Sequence, residues 1–277
     1  MVNLYREIAR YLDENTVPDA DFDARCMIEQ ASGKKLEMTD TLTPAQETLV
    51  RDMAERRAKG EPLQYILGEW EFFGMRLFVG EGVLIPRPDT ERLVEIVLDH
   101  CKGMEKPRIL DLCTGSGCIA LALKQQLPGA EVTAIDLSEG ALSYARKNAA
   151  YHGLDVLISQ GDVLDAKTAA RFSGLDVIVS NPPYLTDEEM QHLQTEIQHE
   201  PAMALAAGED GLQFYRAMTR LWKQSLRPGG LLAYETGEQQ GSAVSRILAK
   251  NGFTEIEVQQ DYAGRDRVVT GTMANVP

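Results

Sequence analysis

The sequence has no apolar run longer than six residues; Cys118–Leu123 and Ala202–Ala207 reach that length. A helix that crosses a bilayer takes about 20, so no membrane partner is expected. Arg6, Glu7 and Arg10 come ahead of any apolar stretch, which does not read as a secretory leader. Cysteine is sparse: four residues, at 26, 101, 113 and 118, form no C-x-x-C pair. Without a leader, this predicts reduced thiols in a cytoplasmic protein. The four histidines, at 100, 152, 192 and 199, lack metal-ligand spacing, and no metal site is expected. Positive charge is short too, with 28 Lys and Arg against 42 Asp and Glu, a net −14. Phosphate contacts dominate duplex affinity and need a basic footprint, so stable nucleic-acid binding is not expected. What remains is ample: 277 residues, 44% of them apolar, enough for a packed core and roughly two domains.

Residues 1–60 read as helices. Leu4, Ile8, Tyr11 and Leu12 recur at helical spacing. A second helix runs over about Asp23–Ser32 and stops at Gly33, and a third carries Leu49, Val50 and Met53 up to Gly60. Its start is well marked: Thr43 as N-cap, Pro44 at the first helical position and Gln46 as capping-box partner. No catalytic cluster stands out here, so the segment either buttresses a larger domain or docks a substrate. The aromatic and β-branched stretch "EWEFFGMRLFVGEGVLIPRPDTE", broken by Gly74, Gly80 and Gly82, reads as a hairpin linking two parts. The expected division is a helical domain over 1–72, a linker hairpin over 73–88 and a third unit over 89–277. Within the linker, Arg87 lies between Pro86 and Pro88; it is either a surface charge or a residue at the mouth of a site.

From residue 108 strands and helices alternate, after a helix that begins near Thr90. Expected strands are Arg108–Leu112, Glu131–Ile135, Asp155–Ser159, Leu175–Val179, Leu231–Glu235, Thr254–Val258 and Arg267–Thr270, with helices over about 118–127, 138–151, 211–226 and 238–250. This pattern predicts an α/β fold with a mostly parallel sheet covered by helices on both faces. Such sheets bind ligands at the carboxyl ends of their strands. Three unusual stretches fall there: 111–117, Asp136 and 180–184.

"ILDLCTGSGCIALAL" sets strand, glycine turn and helix in series. Gly115 and Gly117 permit close backbone approach to a ligand, and Asp136 ends the next strand, where an acid holds ribose hydroxyls. With Ala120 the loop even satisfies the dinucleotide pattern G-x-G-x-x-[GA], so a nicotinamide dehydrogenase has to be weighed. Asp111 tilts the choice. A carboxylate beside the loop repels a pyrophosphate but suits an ammonium or sulfonium group, and S-adenosylmethionine carries both, plus a ribose. The plainer reading makes Asp111 a loop cap. Asp162 can meet an adenine amino group or simply serve a turn.

"NPPY", residues 181–184, follows the apolar run ending at Val179 and Ser180. Two prolines donate no backbone N–H. The amide oxygen of Asn181 and the carbonyl of Pro182 are therefore left to accept hydrogen bonds from an –NH2 group, with Tyr184 packing on the plane that bears it. An amide or aromatic amino nitrogen is a poor nucleophile, and holding it in line with a sulfonium methyl makes orientation the main source of rate. As a bland alternative, Asn-Pro is a common turn dipeptide.

Together these residues resemble an amino-methyltransferase of the seven-stranded S-adenosylmethionine-dependent class, a Rossmann-like fold. "GEPLQYILGEWEFFG", "VLIPRPDTE", "ILDLCTGSGCIALAL" and "IVSNPPY" carry the resemblance further, over essentially the whole chain, to the PrmC/HemK family of protein-glutamine N5-methyltransferases. The resemblance implies S-adenosylmethionine as cofactor and S-adenosylhomocysteine as product. It places the cofactor site at Asp111, Cys113, Thr114, Gly115, Ser116, Gly117, Asp136, Asp162, Val163 and Asn181. It implies catalytic roles for Asn181, Pro182 and Tyr184, with Pro183 and Arg87 joining them at the substrate. The implied substrate is the glutamine of the Gly-Gly-Gln motif of peptide-chain release factors, engaged by the helical domain. Cys113 departs from the pattern, standing where many members have glycine. NPPY alone also fits an adenine-N6 methyltransferase of DNA or RNA, and a non-catalytic scaffold is the remaining class.

Overall fold

The computed structural model describes residues 2–35 and 41–274. Met1 and residues 36–40 and 275–277, which fall inside the first and last expected domains, lie outside the described residues.

Helices α1 (Val2–Glu14), α2 (Ala20–Ser32) and α3 (Pro44–Ala58) form a bundle that the short α4 (Leu63–Leu67) closes. Leu4, Ile8 and Leu12 make one buried stripe at four-residue spacing, against Met27 and Ile28 of α2 and Val50 and Met53 of α3. Tyr11 and Leu49 sit at the margins of these stripes and stay exposed. The capping box is present: Thr43 Oγ1 accepts from the Gln46 N–H at 3.3 Å, and Gln46 Oε1 accepts from the Thr43 N–H at 2.9 Å. Gly33 closes α2 in the left-handed conformation.

The hairpin lies earlier than expected, with β1 at Glu69–Phe72 and β2 at Met75–Phe78. Phe73 and Gly74 both have positive φ, as a two-residue hairpin turn requires, so Gly74 marks the tip rather than the border. Residues 79–89 form no strand. Trp70 packs against the helical bundle, whereas Phe72 is buried in the core of the large sheet.

That sheet contains β3 (Arg108–Leu112), β4 (Glu131–Asp136), β5 (Leu157–Gln160), β6 (Leu175–Ser180), β7 (Leu226–Glu235), β8 (Phe253–Gln260) and β9 (Asp266–Met273). Its order is β5-β4-β3-β6-β7-β9-β8. The strands from β5 to β7 run parallel, and β9 is antiparallel to both β7 and β8. Helices α5 (Thr90–His100), α6 (Cys118–Gln126) and α7 (Glu139–His152) cover one face; α8 (Ala166–Ala169), α9 (Gln213–Trp222) and α10 (Gly241–Lys250) cover the other. Central strands bury both faces, so Ile109 and Val177 join one core while Leu110 and Ile178 join the opposite one.

Differences from the sequence reading are local. β5 begins at Leu157 rather than Asp155, and β7 at Leu226 rather than Leu231. α9 ends at Trp222 and passes into a 3₁₀ turn. Between β6 and α9 the chain forms 3₁₀ turns at Glu189–Gln191, Ile197–His199 and Ala202–Ala204, a segment without a period to read. Strand order reverses at β3, with β4 on one side and β6 on the other, which opens a crevice at their carboxyl ends.

Candidate active site

The loop after β3 is built by its own polar groups. Asp111 is fully buried, and its Oδ2 accepts from the Thr114 hydroxyl at 2.5 Å. Its other oxygen, Oδ1, is buried without a partner, as is Ser116 Oγ. Burial pushes the Asp111 carboxyl up to about 7, against the opposing hydrogen bond from Thr114. A carboxylate held this dry and half-satisfied gains from a cation nearby, so the donor set fits an ammonium or sulfonium group.

Cys113 adopts φ 60°, the left-handed region that costs a non-glycine residue about 1–2 kcal/mol. That conformation is the physical reason glycine would suit the position. Gly115 also has positive φ, and a Cβ there would meet nothing nearer than Val83 Cγ2 at 3.9 Å, so the face toward the cavity is open. Gly117 differs. A Cβ on it would lie 3.2 Å from both Ala145 Cβ and Leu121 Cδ1. With φ 84° and these close neighbours it packs against α7 rather than lining the cavity, where the sequence reading has it allowing ligand approach.

Asp136 ends β4 and holds the loop from below. Its Oδ2 accepts from the Gly115 N–H and its Oδ1 from the Ser138 N–H, both at 2.9 Å. Burial raises its pKa, and these backbone donors oppose the rise. Each carboxylate oxygen keeps a second lone pair for a hydroxyl. Asp162 Oδ1 accepts from the Leu164 N–H at 2.8 Å, the turn role, while the residue still faces the cavity.

One cavity gathers these groups. Cys113, Thr114, Gly115, Ser116, Asp136, Asp162, Val163, Asn181, Pro183 and Arg87 all contribute to its wall. Asp111, Gly117, Pro182 and Tyr184 lie outside that wall. Asp111 stands directly behind the loop, and Pro182 is buried. The Tyr184 ring packs at the edge of the core beneath α9, because its backbone carbonyl is tied to Gln240 Nε2 at 2.9 Å and turns the chain that way. Burial pushes its hydroxyl up to about 12. Asn181 Nδ2 points to Thr90 Oγ1 at 3.4 Å.

Several wall residues were not among the site residues expected from the sequence. Val83, Leu84 and Ile85 come from the irregular stretch after the hairpin, fixed by the Tyr65 hydroxyl donating to the Val83 carbonyl at 2.5 Å. Pro201, Met203 and Ala204 come from the 3₁₀ segment. The two stretches are joined by Glu200, whose buried carboxylate accepts from the Ile85 N–H at 3.0 Å and pairs with Arg87. Arg87 is thus at the site mouth and committed to a partner. Asn148 of α7 went unread too. Fully buried, it accepts from the Phe78 N–H at 2.7 Å and donates to the Phe78 and Ser116 carbonyls, locking the hairpin to the glycine loop.

Two family models match: "Methyltransferase small domain" over residues 90–211 and "PrmC N-terminal domain" over residues 3–68. A curated release factor glutamine methyltransferase of Deinococcus radiodurans is 40% identical over 93% of this chain and 93% of its own. This chain belongs to the release factor glutamine methyltransferase family. A second member, from Thermodesulfovibrio yellowstonii, is 44% identical over 82% of each chain. Among solved structures, the hMettl16 catalytic domain in complex with the MAT2A 3′UTR hairpin 6 superposes with a TM-score of 0.60, covering 91% of this chain and 95% of that one. At 16% identity this likeness concerns the fold. Family membership makes the chain an S-adenosylmethionine-dependent protein-glutamine methyltransferase with a Rossmann-like catalytic fold, and the dehydrogenase and scaffold readings fall away.

Proposed function

We propose that this enzyme methylates the side-chain amide nitrogen of the glutamine in the Gly-Gly-Gln motif of peptide-chain release factors. The observation that carries the reading is the meeting of Asn181 and Pro183 with the glycine loop and Asp136 in one cavity. S-adenosylmethionine, when bound, supplies an electrophilic methyl group. The loop residues Cys113–Ser116, Asp136 and Asp162 would hold it, with Asp111 behind them as counter-charge. Asn181 Oδ1 and the Pro182 carbonyl accept the two N–H bonds of the target amide and fix its plane. An amide nitrogen acidifies steeply once alkylated, so its proton leaves without a dedicated strong base. S-adenosylhomocysteine is the product.

Residues 2–68 serve as the docking unit, β1 and β2 as the linker, and residues from 89 onward as the catalytic unit. One glutamine side chain offers too little surface to select a protein, and a standard interface buries about 800 Å² on each partner.

Methyl transfer from labelled S-adenosylmethionine to a panel of release factor, DNA and RNA tests the reading. Label is expected in the release factor at its Gly-Gly-Gln glutamine and not in the nucleic acids; transfer to adenine instead would overturn it. Asp136→Ala is expected to weaken S-adenosylmethionine binding at least tenfold by calorimetry, since hydrogen bonds to a charged group are worth about 1.5–3 kcal/mol each. Unchanged affinity in a folded variant would remove Asp136 from the cofactor site.

A further inference from the structure

Asn181 can assist an –NH2 nucleophile only if its amide oxygen, not its nitrogen, faces that group. Nothing in the Asn-Pro-Pro-Tyr stretch itself decides which way the amide turns. Both ends are similar in size, and a flip reverses donor and acceptor. The choice has to be imposed from behind.

Thr90 and Glu235 stand there. Thr90 is the first residue of α5 and is 1% exposed; Glu235 ends β7 and is equally buried. Ser180 pairs with Tyr234 across the parallel β6–β7 ladder, so the next residues, Asn181 and Glu235, emerge side by side. Val177 and Val179, and likewise Leu231 and Ala233, belong to the core beneath α5 and α6. By strand alternation, Asn181 and Glu235 continue onto that same face. Thr90 also lies close enough to the Glu235 carboxylate to lower its pKa. The Asn181 Nδ2 lies 3.4 Å from Thr90 Oγ1.

We propose that Thr90 and Glu235 are positioning residues that hold the Asn181 amide with its oxygen toward the reacting nitrogen, a proposal that rests on the role of Asn181 given above. A hydroxyl has one proton. In this arrangement Thr90 donates that proton to the ionised Glu235 carboxylate, which in that form only accepts. Its oxygen can then only accept from Asn181, and the atom of Asn181 that faces Thr90 must be nitrogen. Oδ1 is left for the cavity. Were Glu235 absent, the Thr90 proton would be free to bind Asn181 Oδ1 and turn the acceptor inward.

A second observation points the same way. Glu235 Oε2 and Thr236 Oγ1 are buried without partners. Burial raises the Glu235 carboxyl to about 7 against the opposing Thr90 and Arg267, so the acceptor-only form that positions Thr90 prevails above that pH. A carboxylate serving stability alone would be placed where both oxygens are satisfied. Arg267 itself is shared with Asp261 and Asp89, at 3.2 and 3.3 Å.

The test combines Thr90→Val, Thr90→Ser, Glu235→Met, Asn181→Ala and the double variant Thr90→Val/Asn181→Ala. Single-turnover methylation, S-adenosylmethionine affinity and thermal melting are measured for each. Thr90→Val and Glu235→Met are expected to lose at least tenfold in rate with cofactor affinity within twofold. Thr90→Ser, which restores the hydroxyl, is expected to recover most of that rate. The double variant is expected to match Asn181→Ala. Glu235→Met exchanges a buried charge for an apolar chain of similar volume, so its melting temperature is expected to hold or rise while its rate falls, a split that a structural role does not produce. Should Asn181→Ala itself turn over within a few-fold of the parent, the reading of Asn181 fails. If Asn181→Ala collapses but Thr90→Val and Glu235→Met stay within threefold, positioning fails while that reading stands. A double variant ten times slower than Asn181→Ala would likewise overturn positioning, since Thr90 would then act independently.

Discussion

Asn181→Ala is expected to slow methyl transfer on the order of a hundredfold while leaving S-adenosylmethionine affinity nearly intact. The backbone at this point does not depend on the side chain. Ser180 is tied to the Leu112 carbonyl at 2.5 Å, and Pro182 and Pro183 are buried with φ fixed by their rings. Alanine therefore keeps the turn and deletes one acceptor. The glutamine nitrogen is left with a single fixed hydrogen bond and rotates about it. Small misplacements of a reacting atom cost about a hundredfold in rate. Quenched-flow single turnovers with a release factor measure the rate, and calorimetry measures the cofactor. A tenfold or larger loss of cofactor affinity with the same loss of rate would show that Asn181 serves binding rather than orientation.

Arg57→Met is expected to cost about 3–5 kcal/mol, the largest stability effect of any single charged substitution in the helical unit. Arg57 is almost wholly buried. Its Nε meets Asp23 Oδ2 at 2.6 Å, and its Nη2 meets Glu196 Oε1 at 2.5 Å. Methionine fills the space of the aliphatic stem but strands the buried Asp23 carboxylate, whose pKa burial already raises against the pull of Arg57. Adding Asp23→Leu is expected to recover most of the loss, because an apolar pair replaces an ionic one at little net cost. Urea unfolding of the two variants checks this; equal losses in both would mean that the pair is not the source. Glu196 belongs to the 3₁₀ segment that also supplies Pro201, Met203 and Ala204 to the cavity wall. The single variant is thus expected to lower methylation of an intact release factor as well.

The sequence made the α/β alternation, the glycine loop, the acid after β4 and the Asn-Pro-Pro-Tyr stretch legible, because each rests on spacing within one short segment. The capping box at Thr43 was legible for the same reason. The hairpin was misplaced by several residues, since Gly74 as a turn tip and Gly74 as a boundary look alike until Phe73 is known to share its positive φ. What escaped reading was held by partners far apart in the chain. Glu200 reaches Ile85 and Arg87, Asn148 reaches Phe78 and Ser116, and Arg57 reaches Glu196. Such pairs leave no periodic trace. The 3₁₀ wall segment between β6 and α9 lacks one as well, because turns of three residues are too short to show a stripe.

The sheet order carries a consequence for synthesis. β9 lies between β7 and β8, so the edge of β7 has no neighbour until residues 266–273 have been made. Ribosomal synthesis runs at about 5–20 residues per second. For several seconds the nascent chain holds β3 to β7 with an open edge, and open edges invite pairing with other chains. Arg267, which donates to the Thr236 carbonyl and flanks Glu235, arrives with that last strand. The electrostatic setting of Glu235 is therefore completed only when translation has passed residue 267, and a ribosome-bound chain that stops short of it has every segment of the cavity wall but lacks the stronger of the two cations, Arg267 and Arg87, that act on Glu235.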